Sequence, residues 1–182
     1  ILGLQPGHVV SNLSSSRALR DIAERHHSTY SASAVGEVYV VAEMKAKGAA
    51  LGGEGNGGII LPELHYGRDA LVGVALFLTY LAQRGGTCSA LRATYPNYAM
   101  AKEKIDLQPG VDTDALLARV AAAQAHLNPS TIDGVKIDFA DRWVHLRKSN
   151  TEPIIRIYTE APTQAEAEAL ASEFFAKLVE LK

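Results

Sequence analysis

Cysteine is almost missing from this chain: Cys88 is the single thiol among 182 residues. One thiol excludes an internal disulfide and a cysteine metal cluster, and it suits a reducing compartment, so a cytoplasmic protein is expected. No base stands near Cys88 in sequence, and it reads as an inert, buried residue. An excess of positive charge is also missing, with 18 Lys and Arg against 20 Asp and Glu and a formal net charge of −2. That balance argues against a nucleic-acid partner or an anionic membrane surface. No apolar run approaches the roughly 20 residues of a spanning helix. The longest, Ala70 to Ala82 between Asp69 and Gln83, reads as a buried core helix. The six histidines are scattered, with no i,i+4 pair beside a carboxylate, so no metal site is expected. Neither a G-x-x-x-x-G-K-[ST] loop nor a G-x-G-x-x-G turn between strand and helix occurs. An initiating Met and a basic-then-apolar leader are absent, and Ile1 reads as the cut end of a longer chain.

What is present alternates. Val9 and Val10 form a short apolar pair, and Asn12 and Ser14 to Ser16 offer N-cap oxygens. Ala18, Leu19, Ile22, Ala23 and His26 then recur at spacings of three and four, which predicts a helix over 16–27. A strand over Tyr30 to Ala34 follows, then a helix opening at Gly36-Glu37 and closing at Gly48. Short apolar segments, Ala49 to Leu51 and Ile59 to Leu61, flank a glycine cluster at 52–58, and Asp69 caps the long apolar helix that stops at Gly85-Gly86. This β/α alternation predicts an α/β layered domain with a mainly parallel sheet.

The pattern changes around Thr94 to Asn97, where Pro96 breaks any helix. Beyond it the order is strand (98–105), helix (112–126), strand (132–139), strand (143–147), strand (153–158) and helix (163–181). Val135, Ile137 and Phe139 alternate with Lys136 and Asp138, the mark of a strand with one buried face. The expectation is a second, α+β domain, an antiparallel sheet backed by two helices. The domains are placed at 1–93 and 97–182.

Two segments carry possible chemistry. Gly52-Gly53-Glu54-Gly55-Asn56-Gly57-Gly58 can turn sharply and present two polar side chains, although a mobile turn with a solvated glutamate has the same composition. Arg147-Lys148-Ser149-Asn150-Thr151-Glu152-Pro153-Ile154-Ile155-Arg156 gathers guanidinium forks, hydroxyls and loop amides, the donors a phosphate dianion needs. A polar turn with two exposed arginines is the bland alternative. Trp143, at a strand start, is expected to pack on the sheet or an adjoining domain.

The two loops, in this order and on these elements, resemble the α-D-phosphohexomutase superfamily, which includes phosphoglucomutase/phosphomannomutase and phosphoglucosamine mutase. RKSNTEPIIRIYTEA resembles the phosphate loop of its fourth domain, and GGEGNGG the G-E-x-S-G-H sugar loop of its third. SNLSSSRALRDIAERH, AVGEVYVVAEMK and the helix begun by GRDA resemble the rest of that third domain. The resemblance implies that Glu54 accepts from adjacent sugar hydroxyls. Asn56 stands where serine is usual and Gly58 where histidine is. Arg147, Ser149, Asn150, Thr151 and Arg156 match the clamp on the non-reacting phosphate, with Asn150 in place of a glycine. The family's phosphoserine loop and its Mg²⁺-binding D-x-D-x-D-R loop have no counterpart here, and the resemblance implies that the chain begins near the tail of the third domain's first helix. The chain thus resembles domains three and four of an enzyme that interconverts hexose 1- and 6-phosphates through a phosphoserine and a sugar bisphosphate. Mg²⁺ and a sugar bisphosphate activator are implied for the intact enzyme, hexose phosphate as its substrate, and the missing N-terminal domains as partners of this segment. The preferred hexose stays open between the glucosamine and the mannose/glucose enzymes. A free-standing, non-catalytic sugar-phosphate-binding module is the alternative.

Overall fold

A computed structural model describes residues 6–108, 110–149 and 151–181. The chain divides into two compact units, Ile1–Asn97 and Tyr98–Lys182.

The first unit is built on β1 (His8–Asn12), β2 (Thr29–Ser33), β3 (Leu51–Gly53) and β4 (Ile59–Ile60) in the order β2-β1-β3-β4. β1 runs parallel to β2 and β3, and β4 is an antiparallel edge. Consecutive side chains of a strand face opposite ways, so Val9 and Val10 seed two cores. Val9 meets Ala23 of α1 (Ala18–Arg25), while Val10 meets Val40 and Met44 of α2 (Glu37–Lys47) together with Ala49 and Ile60. The parallel sheet with helices of successive crossovers on its two faces matches the fold class read from the alternation. Gly48 closes α2 at φ 60°, as its place after the last helical residue predicts. The strand expected at 49–51 lies two residues later. Ala49 and Ala50 carry the chain out of α2, and within β3 position 52 needs a glycine because any Cβ there would collide with the Met44 thioether. Arg17, with no side-chain cap, precedes α1, and the Asn12 and Ser15 oxygens are committed elsewhere.

Asp69 caps α3 (Ala70–Arg84) as expected, its Oδ1 accepting from Val72 N at 3.0 Å. The expectation of a buried core helix is overturned, because no residue of α3 is buried. Leu71 is 81% exposed and Val74 and Leu78 both 53%; the helix leans on β4 along one edge only. Between α1 and α3 lies an apolar groove of about 350 Å³, lined by Leu19, Ile22, Phe77 and Tyr80 among others. Low polarity had stood in for burial, and here the two part company. Cys88, read as buried, is exposed at the start of the short α4 (Cys88–Arg92), whose one buried residue is Leu91.

The second unit is an antiparallel sheet of β5 (Ala99–Asp106), β6 (Val135–Asp138), β7 (Trp143–Lys148) and β8 (Ile154–Ala161) in the order β5-β8-β7-β6. Helices α5 (Thr113–Ala123) and α6 (Gln164–Leu181) cover one face over Ile155, Ile157, Val144 and Leu146. This is the expected antiparallel sheet backed by two helices. On the other face, Trp143, His145 and Arg147 of β7 stand opposite Glu160, Tyr158 and Arg156 of β8. Trp143 Nε1 donates to Glu160 Oε1 at 2.8 Å, and Lys136 Nζ lies 4.8 Å over the Trp143 ring. Lys136 is therefore buried as well, while Asp138 stays exposed. The second face of β6 that the alternation predicts is thus solvated at Asp138 and covered at Lys136. The strand expected from 132 starts at Val135. Before it, Gly134 takes φ +70°, where a Cβ would strike the Leu146 carbonyl, and the chain turns back on β6, with Ser130 and Lys136 exchanging both backbone hydrogen bonds at 2.8 Å.

His145 is wholly buried on that face, its ring Nε2 2.6 Å from the Asp133 carbonyl. Burial pushes its pKa from 6.5 down to about 4; the Asp133 carbonyl opposes the shift, and Lys136 and Arg147 add to it. The fold thus prefers the neutral ring. Above pH 6.5 the ring is neutral in both states, and its contribution to stability is fully present. As pH falls from about 6.5 to 4, the unfolded chain takes up a proton that the folded chain excludes, and roughly 3 kcal/mol is lost. Urea unfolding at pH 7, 6 and 5, followed by the fluorescence of the single tryptophan, is expected to show this decline, and His145→Gln to flatten it. Parallel pH curves for both proteins would contradict it.

Candidate functional site

Glu54 follows β3 directly and heads a tight turn. Its N–H donates to Gly58 O at 3.0 Å, and Gly57 N donates back to the Glu54 carbonyl at 3.1 Å. Two glycines make this turn possible: Gly57 sits at φ +93°, and a Cβ on Gly53 would overlap the Gly58 carbonyl. The Glu54 side chain is only 7% exposed, which removes the reading of a solvated turn residue. A carboxylate so far from water needs donors. Asn12 Nδ2 donates to Oε1 at 2.9 Å, and Arg68 Nη1 approaches Oε2 at 3.5 Å.

Both donors are themselves held. Asn12 Oδ1 accepts from Ser14 N at 3.0 Å and Ser15 Oγ at 2.9 Å, which turns its amide nitrogen toward Glu54. Ser15 Oγ also accepts from Gly55 N at 2.9 Å, tying the β1–α1 turn to the glycine turn. Arg68 donates from Nε to Glu37 Oε2 at 2.8 Å and from its backbone N–H to Oε1 at 3.0 Å. These two bonds, the backbone one first, hold the Glu37 carboxyl below its ordinary pKa. A hollow of about 200 Å³, lined by Ser11, Ser15, Ser16, Gly53, Glu54 and Gly55 among others, opens beside the carboxylate. Asn56 is exposed and its Oδ1 accepts from Gly58 N at 3.1 Å, so it braces the turn. Sequence reasoning had treated Asn12 and Ser15 as cap oxygens and passed over Arg68 and Glu37. Their value comes from contacts 14 to 42 residues apart in the chain, for which the local pattern holds no signal.

In the second unit, Arg147 and Arg156 stand directly opposite one another on β7 and β8, hence on one face of the sheet. Between them the loop doubles back: Ser149 N donates to Ile154 O at 3.0 Å and Ile154 N to Glu152 O at 2.8 Å. The Ser149 and Thr151 hydroxyls lie 3.4 Å apart, and Arg156 Nη2 is 3.4 Å from Ser149 Oγ. Asn150 lies outside the described residues. Lys148 points the other way, its Nζ 2.6 Å and 2.8 Å from the Asp114 carboxylate oxygens on α5. The structure therefore gathers Arg147, Ser149, Thr151 and Arg156 on one side and leaves Lys148 on the other. Sequence reasoning missed Asp133, whose Oδ2 lies 3.3 Å from Arg147 Nε. Chemically the group is a set of fixed cations and short donors suited to an oxyanion with several oxygens.

Comparison with known proteins agrees with both halves. The family described as phosphoglucomutase/phosphomannomutase, alpha/beta/alpha domain III, matches residues 2–98, and the C-terminal domain of the same family matches residues 103–177. A probable phosphoglucosamine mutase of Methanopyrus kandleri is 31% identical over 170 residues, covering 93% of this chain and 38% of that protein. A phosphoglucomutase/phosphomannomutase of Thermococcus kodakarensis is 36% identical over 163 residues, covering 88% of this chain and 35% of that protein. A crystal structure of a phosphoglucomutase/phosphomannomutase family protein from Burkholderia thailandensis superposes with a TM-score of 0.79 at 25% identity, over 98% of this chain and 38% of that one. The chain thus spans less than two fifths of the length of these relatives. With both of its units matched, the chain belongs to the phosphoglucomutase/phosphomannomutase family as that family's domain III and C-terminal domain.

Proposed function

We propose that this chain is the substrate-holding half of a phosphohexomutase, an enzyme that interconverts hexose 1- and 6-phosphates through a phosphoserine and a sugar bisphosphate. The single observation that carries the reading is the cross-strand pair of Arg147 and Arg156 flanking the Ser149–Thr151 hydroxyls. Two arginines mounted opposite one another on one face can each offer a charged donor to a single dianionic phosphate. Asn150 completes the proposed clamp. Glu54 is the acceptor for neighbouring sugar hydroxyls, with Asn56 bracing its turn. Asn12 and Arg68 satisfy part of its acceptor capacity, and the hollow beside it leaves room for a ligand.

Such a site binds and orients, which for a transfer between two fixed groups is a large part of the rate enhancement. Each half-reaction presents a different phosphate to the serine, so the clamp must hold either the 1- or the 6-phosphate. A loop of short hydroxyl donors between two long cationic side chains tolerates that exchange. The phosphoserine and the Mg²⁺ site are assigned to the remainder of the polypeptide. Among the described residues, no group of three or more His, Cys, Asp or Glu could hold a metal ion. Among the described residues, no helix is long and apolar enough to cross a membrane.

Arg147→Ala is expected to weaken the binding of phosphate or hexose phosphate at least about tenfold, since a charge-assisted hydrogen bond contributes roughly 1.5–3 kcal/mol. Lys148→Ala, with its ammonium already engaged by Asp114, should change affinity little. Isothermal titration of both variants checks this, and equal losses would show a diffuse positive field with no specific clamp. A second outcome concerns catalysis. The purified 182-residue chain, given Mg²⁺ and a sugar bisphosphate primer in a coupled assay, is expected to show no mutase turnover. Turnover above background would refute the assignment of the nucleophile to the rest of the polypeptide.

A further inference from the structure

The open face of the second unit carries a row of three cations. Arg147 of β7 stands opposite Arg156 of β8, and Arg156 stands opposite Lys104 of β5. Like charges placed directly across a sheet destabilise it, and each of these has its own carboxylate. Arg147 Nε lies 3.3 Å from Asp133 Oδ2, Arg156 Nη2 lies 3.1 Å from Glu152 Oε2, and Lys104 Nζ lies 3.7 Å from Asp106 Oδ1. The three carboxylates differ in burial. The Asp133 side chain is 22% exposed, that of Glu152 52% and that of Asp106 79%.

They also differ in how they are mounted. Glu152 belongs to the same loop as Ser149 and Thr151 and can swing into solvent. Asp133 sits on a segment whose backbone is held at two points. Its carbonyl oxygen is held 2.6 Å from the buried His145 ring, and the next residue, Gly134, crosses β7 so closely that a Cβ would meet both the Leu146 carbonyl and the Arg147 Cα. The segment bearing Asp133 is thereby fastened against the backbone of the residue whose guanidinium it pairs with. The Arg147 side chain is itself only 17% exposed, and its Nε is buried.

We infer that the two arginines of the proposed clamp are held by carboxylates of opposite role: Asp133 is a positioning residue that fixes the Arg147 guanidinium and stays when an oxyanion binds, whereas Glu152 occupies the anion's place on Arg156 and is displaced by it. This rests on the phosphate-clamp reading and deepens it. It yields opposite signs for two substitutions that each remove one negative charge. If both carboxylates merely repelled phosphate, losing either would tighten binding. A positioning role for Asp133 predicts the reverse for that residue.

The test is titration of inorganic phosphate into the 182-residue chain. Glu152→Gln is expected to tighten binding by about two- to fivefold, the scale of an exposed ion pair. Asp133→Asn is expected to weaken it by at least about fivefold, and to have no further effect in an Arg147→Ala background, because it acts through that arginine. Asp133→Glu, which keeps the charge but moves it by one methylene, should also weaken binding, and the Arg147 Nε–H resonance should broaden in both Asp133 variants. Tighter binding by Asp133→Asn, or an undiminished loss in the Arg147→Ala background, would overturn the positioning role. If Asp133→Asn fails to fold, unchanged affinity in Asp133→Glu overturns it equally. Weaker or unchanged binding by Glu152→Gln would overturn the displacement. If Arg147→Ala binds phosphate as tightly as the wild type, the clamp reading itself falls, and this inference with it.

Discussion

Two arginines stand opposite one another across β7 and β8, and much of the 98–182 unit can be understood as what makes that arrangement tolerable. Antiparallel pairing sets the residues opposite one another, and period-two alternation turns both side chains away from the helices. The helical face is a continuous apolar layer that a charge could enter only at great cost. The other face therefore carries most of the polar groups: Lys136 over the Trp143 ring, Trp143 on Glu160, His145 on the Asp133 carbonyl, and the arginines on Asp133 and Glu152. Lys148, one residue on from Arg147, shows the rule from the other side, reaching past the sheet to Asp114.

The first unit solves a related problem with the sign reversed. Glu54 is a nearly buried carboxylate at a turn so glycine-rich that its own loop offers no side-chain cation. Its donors come from elsewhere, Asn12 at the end of β1 and Arg68 just before α3. Arg68 in turn is shared with Glu37 at the start of α2. One carboxylate thus gathers the ends of three elements around itself. Two of them sit at the same end of a parallel sheet, where the carboxyl ends of strands open onto connecting loops.

Much of this was legible in the residues themselves. The 2.0 and 3.6 periodicities gave every strand and helix longer than five residues in the right order, and the two loops with chemistry were visible as composition. What could not be read has physical causes. β3 runs on through Gly52 into the glycine cluster, and a glycine is required there because a Cβ would meet the Met44 side chain, a tertiary demand absent from strand propensity. Cys88 looked buried because free thiols usually are, but α4 presses only Leu91 inward. Lys136 looked solvated by alternation, which cannot register a tryptophan beneath it. The partners Asn12, Arg68 and Asp133 act across turns and between elements, and each was an ordinary polar residue until the chain folded.

The outward face of α3 has a practical consequence. Leu71, Val74 and Leu78 lie open to water along one helix, beside a groove lined by Phe77 and Tyr80. Exposed apolar surface of this kind behaves as an adhesive. In concentrated solution, copies of this chain will collect on one another through it, and sulfate, like other strongly excluded salts, will hasten the clustering, while chilling loosens it as hydrophobic attraction weakens. Long-term storage of the isolated polypeptide therefore favours dilute, cold, low-salt buffer.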